Sequence, residues 1–485
     1  MEKQLKDMFS YPQNQDLAVR YAQLPDVNSE VCMMYLRGMA DQAFVDSTLV
    51  PLLMEKQGFS ARRKLTEQLY HRLESVSGVR RVTALPEMRD EIVRGNTILF
   101  VHGERGGIAV DSTGFEHRSV DRAQNENVIK GPSESFIESG AVNISLIRKQ
   151  LRNEHLVTES ISIGQQSLTE VSVMYLNDIA DPQLVKEVKR RLANIENDQV
   201  MNLATLEQMI EERSYSLVPT CLYTERPDRA AAFLQEGHVV MLMDSSPSAL
   251  IAPVTFWALF HSAEDMYQRW PLGVFMRLMR LIGIFIATLT PGLYIAITNY
   301  HVEMLPTDLL LAIAATRERV PFPAIIEVMI MEVAFELLRE AGVRIPSTIG
   351  PTIGIVGALI LGQAAVDANI VSPILVIVTA ITALSSFTVP DQSLNGMVRL
   401  SRFIFLFAAS LMGFLGMMIA LTIIISYMVT LRSFEVPFLG PLAPYTRSSK
   451  DTIFRPPVWK QWLRPFMNEP QETERATKPK GGAER

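Results

Sequence analysis

Apolar and polar residues are distributed very differently in the two halves of the chain. Residues 1–270 carry closely spaced Lys, Arg, Asp and Glu, whereas residues 281–431 are mostly apolar. Uncharged apolar runs occupy residues 281–300, 345–366, 368–390 and 403–431. Since a helix needs about 20 apolar residues to cross a bilayer, this pattern predicts a soluble N-terminal region followed by a polytopic α-helical membrane domain.

Basic residues flank the apolar region at both ends. Arg277 and Arg280 precede the first run, and Arg432 follows the last one. Because Lys and Arg are enriched on the cytoplasmic side of membrane spans, both chain ends are expected on that side, which requires an even number of crossings. Arg399 and Arg402 would then lie on the opposite side, against the rule, so the number of crossings stays open.

The charged half contains an internal repeat. The segment VCMMYLRGMADQAFVDSTLVPLL (31–53) aligns without gaps with VSVMYLNDIADPQLVKEVKRRLA (171–193), and the alignment matches Tyr35 with Tyr175. Each copy consists of a short apolar stretch, a loop containing Ala-Asp and an amphipathic stretch. This order predicts a strand, a turn and a helix in both copies.

A second match follows each copy at the same spacing. The segment EIVRGNTILFVHGERGGIAV (91–110) resembles FLQEGHVVMLMDSSPSALIA (233–252), with Gly95 aligned to Gly237. Both read as a helix end, a strand, a tight turn and a further strand. The turn HGERGG (102–107) lacks the spacing of a phosphate-binding loop. The repeat therefore predicts an α/β soluble region made of two duplicated modules.

These patterns divide the chain into five regions. They are an N-terminal helical extension (1–30), a first α/β module (31–150), a second α/β module (151–270), a multi-span membrane domain (271–432) and a Pro/Trp/Arg-rich tail on the cytoplasmic side (433–485). The last stretch, NEPQETERATKPKGGAER (468–485), has a composition typical of disorder.

A row of acids interrupts the apolar half. The stretch PFPAIIEVMIMEVAFELLREAGVRIP (321–346) predicts a helix that opens after its prolines. Its acids are Glu327, Glu332, Glu336 and Glu340. At about 100° per residue, the last three fall within one narrow arc and Glu327 lies off it. Like charges stacked in this way are unfavourable unless they are protonated, paired or neutralised by a cation.

Two interpretations of these acids stay open. In the first, the acids lie at the membrane interface and pair with basic residues nearby. The candidate charge partners are Arg317, Arg319, Arg339 and Arg344. In the second, the four glutamates line a hydrated ion pathway, because ionisable groups at membrane depth face a cavity or a partner.

Composition limits the chemistry that the chain can perform. The formal net charge is −6, which indicates no nucleic-acid partner. Cys32 and Cys221 follow no metal-ligand spacing and are expected to be reduced and buried, and the seven histidines form no ligand cluster. No nucleophile or cofactor motif occurs. We therefore expect neither an enzyme nor a bound metal or cofactor.

Long motifs in both halves resemble one known family. They include GPSESFIES, VSVMYLNDIADPQLVKEVKRRL and SAEDMYQRW in the soluble half. In the apolar half they include VPFPAIIEVMIMEVAFELLREAGVRIPSTIGPTIGIVGALILGQAAVDANIVSP and the tail PFLGPLAPYTRSSKDTIFRPPVWKQWLRP. The sequence resembles the A subunits of GerA-type spore germination proteins over nearly its whole length.

The resemblance implies a location and partners. It implies a multi-pass protein of the inner membrane of a bacterial spore, with the N-terminal domain on the core side. It also implies a complex with a transporter-like B subunit and a lipoprotein C subunit. Within that complex, the A subunits would form a homo-oligomer that releases monovalent cations during germination.

Two other functions are compatible with the sequence to different degrees. The sequence also resembles the branch of the stage V sporulation protein AF, an accessory that assists germination without recognising nutrients itself. A secondary transporter would show inverted repeats in its membrane half. Here the repeat lies in the soluble half, which disfavours a transporter.

Overall fold

The computed structural model describes residues 1–24, 27, 29–55, 59, 64–74, 76, 78–114, 123, 126, 128–344, 362–446 and 451–476. In the first module, five antiparallel strands pair in the order β1-β2-β4-β5-β3. The strands are β1 (Leu17–Gln23), β2 (Glu30–Leu36), β3 (Arg80–Val82), β4 (Thr97–Val101) and β5 (Gly107–Val110). The helices of this module are α1 (Glu2–Met8), α2 (Gln42–Phe44), α3 (Val50–Met54), α4 (Leu65–Leu73) and α5 (Leu85–Arg94), with a π-helical segment (Val45–Leu49) between α2 and α3.

The second module has the same plan. Its five strands pair in the order β6-β7-β9-β10-β8. They are β6 (Leu156–Ile163), β7 (Thr169–Leu176), β8 (Leu222–Thr224), β9 (Val239–Met243) and β10 (Ala249–Ala252). The helices are α6 (Gly140–Gln150), α7 (Pro182–Ala193), α8 (Leu203–Ile210), α9 (Pro227–Leu234), α10 (Phe256–Phe260) and α11 (Glu264–Tyr267).

Strand register confirms the duplication that the sequence predicts. Val31 pairs with Val101 in the first sheet, and Val171 pairs with Met243 in the second. Tyr35 and Tyr175 each precede the last residue of the second strand of their sheet. Both Gly95 and Gly237 have a positive φ, of 99° and 88°, which a glycine adopts without strain. The two modules therefore repeat both the strand order and the pairing.

The predicted boundaries of the modules differ from the structure in two places. Residues 1–30 are not only helical, because β1 forms the edge strand of the first sheet. The helix α6, assigned from the sequence to the first module, places Leu146 and Ile147 in a core shared with strands of the second sheet. The sequence repeat begins at the second strand of each copy, so it gave no sign of either extension.

Helices make up the apolar half. They are α12 (Trp270–Asn299), α13 (Thr307–Arg317), α14 (Ala324–Arg344), α15 (Pro373–Ser386) and α16 (Gln392–Thr430). Within the described residues, α12 and α16 are long and apolar enough to cross a membrane. The run at 368–390 forms only the 14-residue α15, which is shorter than the span expected. The run at 345–366 falls outside the described residues except for its last five positions.

The helix α16 folds back on itself at Gly413. This residue has a φ of 60° and a ψ of −135°, which no α-helix contains. Leu394 and Met428, near opposite ends of α16, consequently pack in one core cluster with the second module. The prediction that 403–431 forms one continuous span is therefore wrong. Two antiparallel arms of roughly 20 residues each replace it, and such an arm is about 30 Å long.

The tail after α16 returns to the second module. A short hairpin of β11 (Arg432–Ser433) and β12 (Val436–Pro437) leads into 3-10 turns at Val458–Lys460 and Phe466–Asn468. Gln471 N donates a hydrogen bond of 2.9 Å to Ile179 O. Disorder was predicted for 468–485, but residues 468–476 belong to this ordered tail, and 477–485 lie outside the described residues.

Candidate functional site

The acids of α14 lie at very different depths. Glu327 and Glu332 are buried, with 0% and 1% of their surface exposed. Glu336 is half-buried and Glu340 is exposed. The helix begins directly after Pro323, whose carbonyl accepts a hydrogen bond from Glu327 N. The predicted row of acids thus runs from the interior of the bundle to its surface.

Two arginines of α16 neutralise the middle of this row. Arg402 is buried and contacts Glu332 at 3.0 Å and Glu336 at 2.7 Å. Arg399 Nε donates a hydrogen bond of 3.0 Å to Glu336 Oε1, and its Nη2 also contacts this carboxylate. Among the described residues, Glu332 Oε1 and Arg402 Nε have no hydrogen-bond partner. These four side chains form a charge network between α14 and α16, in which Glu332 and Arg402 are buried and Glu336 and Arg399 are half-buried.

None of the four predicted charge partners forms an ion pair with Glu332 or Glu336, and two of them lie beside the other two acids. Arg344 pairs with the exposed Glu340 at 2.7 Å, and Arg317 lies 4.0 Å from Glu327. Arg339 instead donates a hydrogen bond to Ser386 Oγ, 3.2 Å away. Its guanidinium lies over the ring of Phe387, 4.6 Å from the centroid.

Arg319, the fourth predicted partner, is exposed and forms no ion pair within the part of the chain that the structure describes. Arg399 and Arg402 were not predicted from the sequence as partners of these acids. They are the only charged residues between positions 392 and 430. Their isolation in an otherwise uncharged stretch was the signal that could have identified them as partners of the acids, since a charge in an apolar helix requires a partner.

Glu327, near the start of α14, makes polar contacts that are separate from the charge network described above. Ser372 Oγ donates a hydrogen bond of 3.2 Å to Glu327 Oε2. The other carboxylate oxygen, Oε1, has no hydrogen-bond partner among the described residues, nor has the hydroxyl of Tyr294. A buried carboxyl with one unsatisfied oxygen is costly, so this position is a candidate for a functional group rather than for packing.

A second network of buried charges joins the end of the α/β region to α12. Asp265 contacts Arg280 at 2.9 Å and Arg277 at 3.3 Å. Arg277 also reaches Asp451 of the tail at 2.5 Å. Arg455 Nη1 donates to Asp265 O and Gln268 O.

The electrostatics of Asp265 follow from these contacts. Burial alone would raise the pKa of Asp265, but its hydrogen bond with Arg280 and the two nearby arginine charges lower that pKa below its usual value. Asp265 is therefore ionised and ties three elements together, namely α11, α12 and the tail. From the sequence, Arg277 and Arg280 had been interpreted only as a basic flank.

A cavity of about 130 Å³ lies next to the charge network around Asp265, between α9 and the tail. His238 lines it and is buried, with 5% of its surface exposed. Its Nδ1 donates to Pro253 O at 2.6 Å, and its Nε2 accepts from Asn468 Nδ2 at 2.8 Å. Burial lowers the pKa of His238 to about 4, and the hydrogen bond to Pro253 only partly offsets this. The imidazole is therefore neutral near pH 7.

The chain is similar to proteins of bacterial spore germination. Residues 3–467 match the family of Bacillus/Clostridium GerA spore germination proteins. The spore germination protein KA of Bacillus subtilis (strain 168) is 38% identical over 436 residues, covering 90% of this chain and 80% of that protein. The uncharacterized membrane protein YfkQ of the same organism is 37% identical over 450 residues, covering 91% and 86%.

A solved structure is also similar to the N-terminal α/β region of the chain. It is the N-terminal domain of the A subunit of the Bacillus megaterium spore germinant receptor GerK3, which is 26% identical to this chain. The match covers 53% of this chain and 94% of that domain, with a TM-score of 0.42.

Proposed function

Since this chain belongs to the family of Bacillus/Clostridium GerA spore germination proteins, we propose that it is an integral membrane subunit of a spore germination complex. In this proposal, its helical half assembles into a homo-oligomer and forms a pathway through which cations leave the spore. The soluble half lies on the core side of the inner spore membrane and transmits the signal to the helices.

The surface of the helical half supports its insertion in a membrane. Large apolar side chains face outward on α12, α14, α15 and α16, among them Phe285, Leu337, Ile381, Leu384, Phe407 and Leu415. Exposed apolar surface of this extent marks contact with a membrane or with another protein. A relative is also named as a membrane protein.

The path of the helices supports several crossings. The C-terminal end of α12, which points away from the second module, lies against the turn of α16 at Gly413. There Tyr300 OH donates a hydrogen bond of 2.6 Å to Ser410 O. Both arms of α16 then have their other ends at the second module. A chain that leaves the module along α12 and returns along the last arm of α16 has both termini on one side, as an even number of crossings requires.

The observation that carries the proposal is the partly exposed ion pair between Glu336 and Arg399. Their side chains are 22% and 32% exposed, beside exposed apolar side chains such as Leu337 and Leu400. Charged groups at membrane depth do not face lipid, because leaving water without a partner costs several kcal/mol. This face must therefore contact other subunits or a water-filled passage, and a ring of subunits provides both.

The charge balance of this face indicates the type of ion. Glu336 and Glu340 would attract cations, while Arg399 and Arg344 partly neutralise them. A mixed ring favours weak selection among monovalent cations over tight binding of a divalent one, which needs several free carboxylates. By the resemblance of the sequence, a transporter-like B subunit and a lipoprotein C subunit would complete the complex.

Cation flux tests this proposal. The full-length protein is reconstituted in liposomes loaded with K⁺, and efflux is compared between the wild type and Glu336→Gln. We expect efflux to fall about tenfold, as the loss of about 1.4 kcal/mol of attraction would produce. The exposed Glu303→Gln is the matched control and should conduct like the wild type.

Oligomer size is measured on the same samples, because Glu336 could instead hold subunits together. Reduced flux from an intact oligomer supports the pathway. Unchanged flux, or an oligomer that dissociates, shows that the acids are only ion-pair partners and overturns the proposal.

A further inference from the structure

Three ligating side chains converge on one face of the second module, away from the helices' charge network. They are Glu207 on α8, Glu211 at the end of this helix, and Cys221, which directly precedes β8. One ligating atom from each lies within 4.8 Å of the other two. Glu207 and Glu211 are one helical turn apart, so both carboxylates project from the same side of α8.

The two acids of this cluster have no basic partner among the described residues. Neither Glu207 nor Glu211 forms an ion pair with any described residue, since the nearby Arg191 pairs with Glu187 and Glu212. Two adjacent carboxylates without a cation repel each other. A positive ion between them would remove this repulsion.

Cys221 provides an independent observation. Its side chain is buried, with 2% exposed, yet its sulfur lies beside the two carboxylates and makes no hydrogen bond within the described part of the chain. It is a free cysteine. Its thiol lies at the edge of the apolar core of the second module, where that core meets the two acids.

The neighbouring residues position the acids as ligands. Thr220 N and Thr220 Oγ1 donate hydrogen bonds of 3.0 and 2.7 Å to Glu211 Oε1. This leaves Glu211 Oε2 available, and such supporting hydrogen bonds are typical of metal sites. Both carboxylates are only half-buried, which gives a metal ion access from solvent.

We propose that Glu207, Glu211 and Cys221 bind a divalent transition-metal ion, with Zn²⁺ as the ion that fits best. Sulfur is a soft ligand that Zn²⁺ accepts and that Ca²⁺ and Mg²⁺ avoid. Three protein ligands leave one position of a tetrahedral zinc site open to water or to a ligand from a partner.

The site's position indicates what the ion would do. Ser433 Oγ, in the hairpin after α16, donates a hydrogen bond of 2.6 Å to Thr220 O. Glu435 N donates to the carboxylate of Glu212. A metal ion holding α8 to the start of β8 would therefore stiffen the surface on which the end of α16 docks. This role does not depend on the proposed cation pathway.

Cobalt is the probe that tests the proposal, because a thiolate bound to Co²⁺ gives a charge-transfer absorption that carboxylates do not. The metal-free full-length protein in detergent is titrated with Co²⁺ and then with Zn²⁺. We expect the sulfur band to appear at one ion per chain and Zn²⁺ to abolish it. Cys221→Ser should lack the band, and Cys32→Ser, which alters the other buried cysteine, should keep it.

A second variant keeps the test decisive if Cys221→Ser fails to fold. Glu207→Gln alters a half-buried surface side chain and should weaken Co²⁺ affinity about tenfold or more. Binding without a sulfur band, or a band that Cys32→Ser removes, would refute the site. Equal affinity of the wild type and Glu207→Gln would also refute it.

Discussion

Gly95 of the first module and Gly237 of the second lie just after equivalent helices, but the residues that follow these glycines make different contacts. Asn96 accepts a hydrogen bond of 3.0 Å from Thr113 Oγ1 within its own module. His238, at the same position of the repeat, bonds to Asn468 of the tail. The backbone is thus repeated, whereas the side chains of the second copy reach outside it.

The cores of the two modules show the same difference on a larger scale. The buried clusters around the first sheet contain only residues between positions 5 and 110. The second sheet shares a cluster with the helical half, which includes Leu242 of β9, Ala287 of α12 and Leu394 of α16. The two modules thus share one strand plan, and the helices pack against the second module in a shared apolar core.

The largest loss of stability is expected from changes in the charge network of Asp265, Arg277 and Arg280, which joins the second module to α12. Asp265→Asn would leave Arg277 and Arg280 buried with less negative charge to pair with. The loss of one partner from a buried pair costs about 3–5 kcal/mol. We expect a clear drop in the melting temperature of the full-length protein in detergent, with early proteolysis of the tail.

The neighbouring Glu264→Gln is the control for this variant, since within the described residues the Glu264 carboxylate accepts one hydrogen bond, from Gln268 Nε2, and forms no ion pair. Glu264→Gln should change the free energy of unfolding by no more than about 0.5 kcal/mol. Equal melting of the two variants would show that the buried network does not hold the second module to α12.

A pH effect should distinguish His238 from Asn96. The folded-state pKa of His238 is about 4, below the usual 6.5. The unfolded chain therefore binds a proton first as the pH falls, and stability is lost between about pH 6.5 and 4. At pH 5 the loss amounts to about 2 kcal/mol.

His238→Asn, which places the first module's residue at this position, should remove that part of the acid sensitivity. Unfolding is measured at pH 7.5 and pH 5 for both proteins. An identical pH dependence in the wild type and the variant would contradict the assignment.

The smallest expected effect is the difference in stability between alanine substitutions at Gly95 and at Gly237. Alanine at a positive φ costs about 1 kcal/mol. At Gly95 an added Cβ would also lie 2.8 Å from Met39 O, whereas at Gly237 the nearest atom is 3.6 Å away. We expect Gly95→Ala to be more destabilising than Gly237→Ala by about 1 kcal/mol. Equal losses would mean that the first module relaxes around the new methyl group.

The fold of the soluble half could be predicted to a large extent from the sequence. A short apolar stretch that contains Tyr35 or Tyr175, followed by Ala-Asp and an amphipathic pattern, predicted the second strand and the next helical segment of both modules. Asp181 indeed caps α7, accepting hydrogen bonds from Gln183 N and Leu184 N. Such signals are local, because capping and alternation depend on residues a few positions apart.

Only the acids of the charge network between α14 and α16 could be predicted from the sequence. The acids Glu332 and Glu336 were recognised on one helix face, since a helix repeats every 3.6 residues. Their partners Arg399 and Arg402 lie more than 60 positions further on, and only the packing of α14 against α16 brings them together. Spacing along the chain carries no information about such pairs.

The sequence by itself determined the duplicated α/β plan, the apolar helical half and the acids that interrupt it. Each of these follows from periodicity, which the backbone geometry imposes on neighbouring residues. The tertiary structure alone decided the reversal of α16 at Gly413, the arginines that meet the acids, and the approach of Cys221 to Glu207 and Glu211. These depend on which helices and loops pack together, a choice made by the whole buried surface rather than by any short segment.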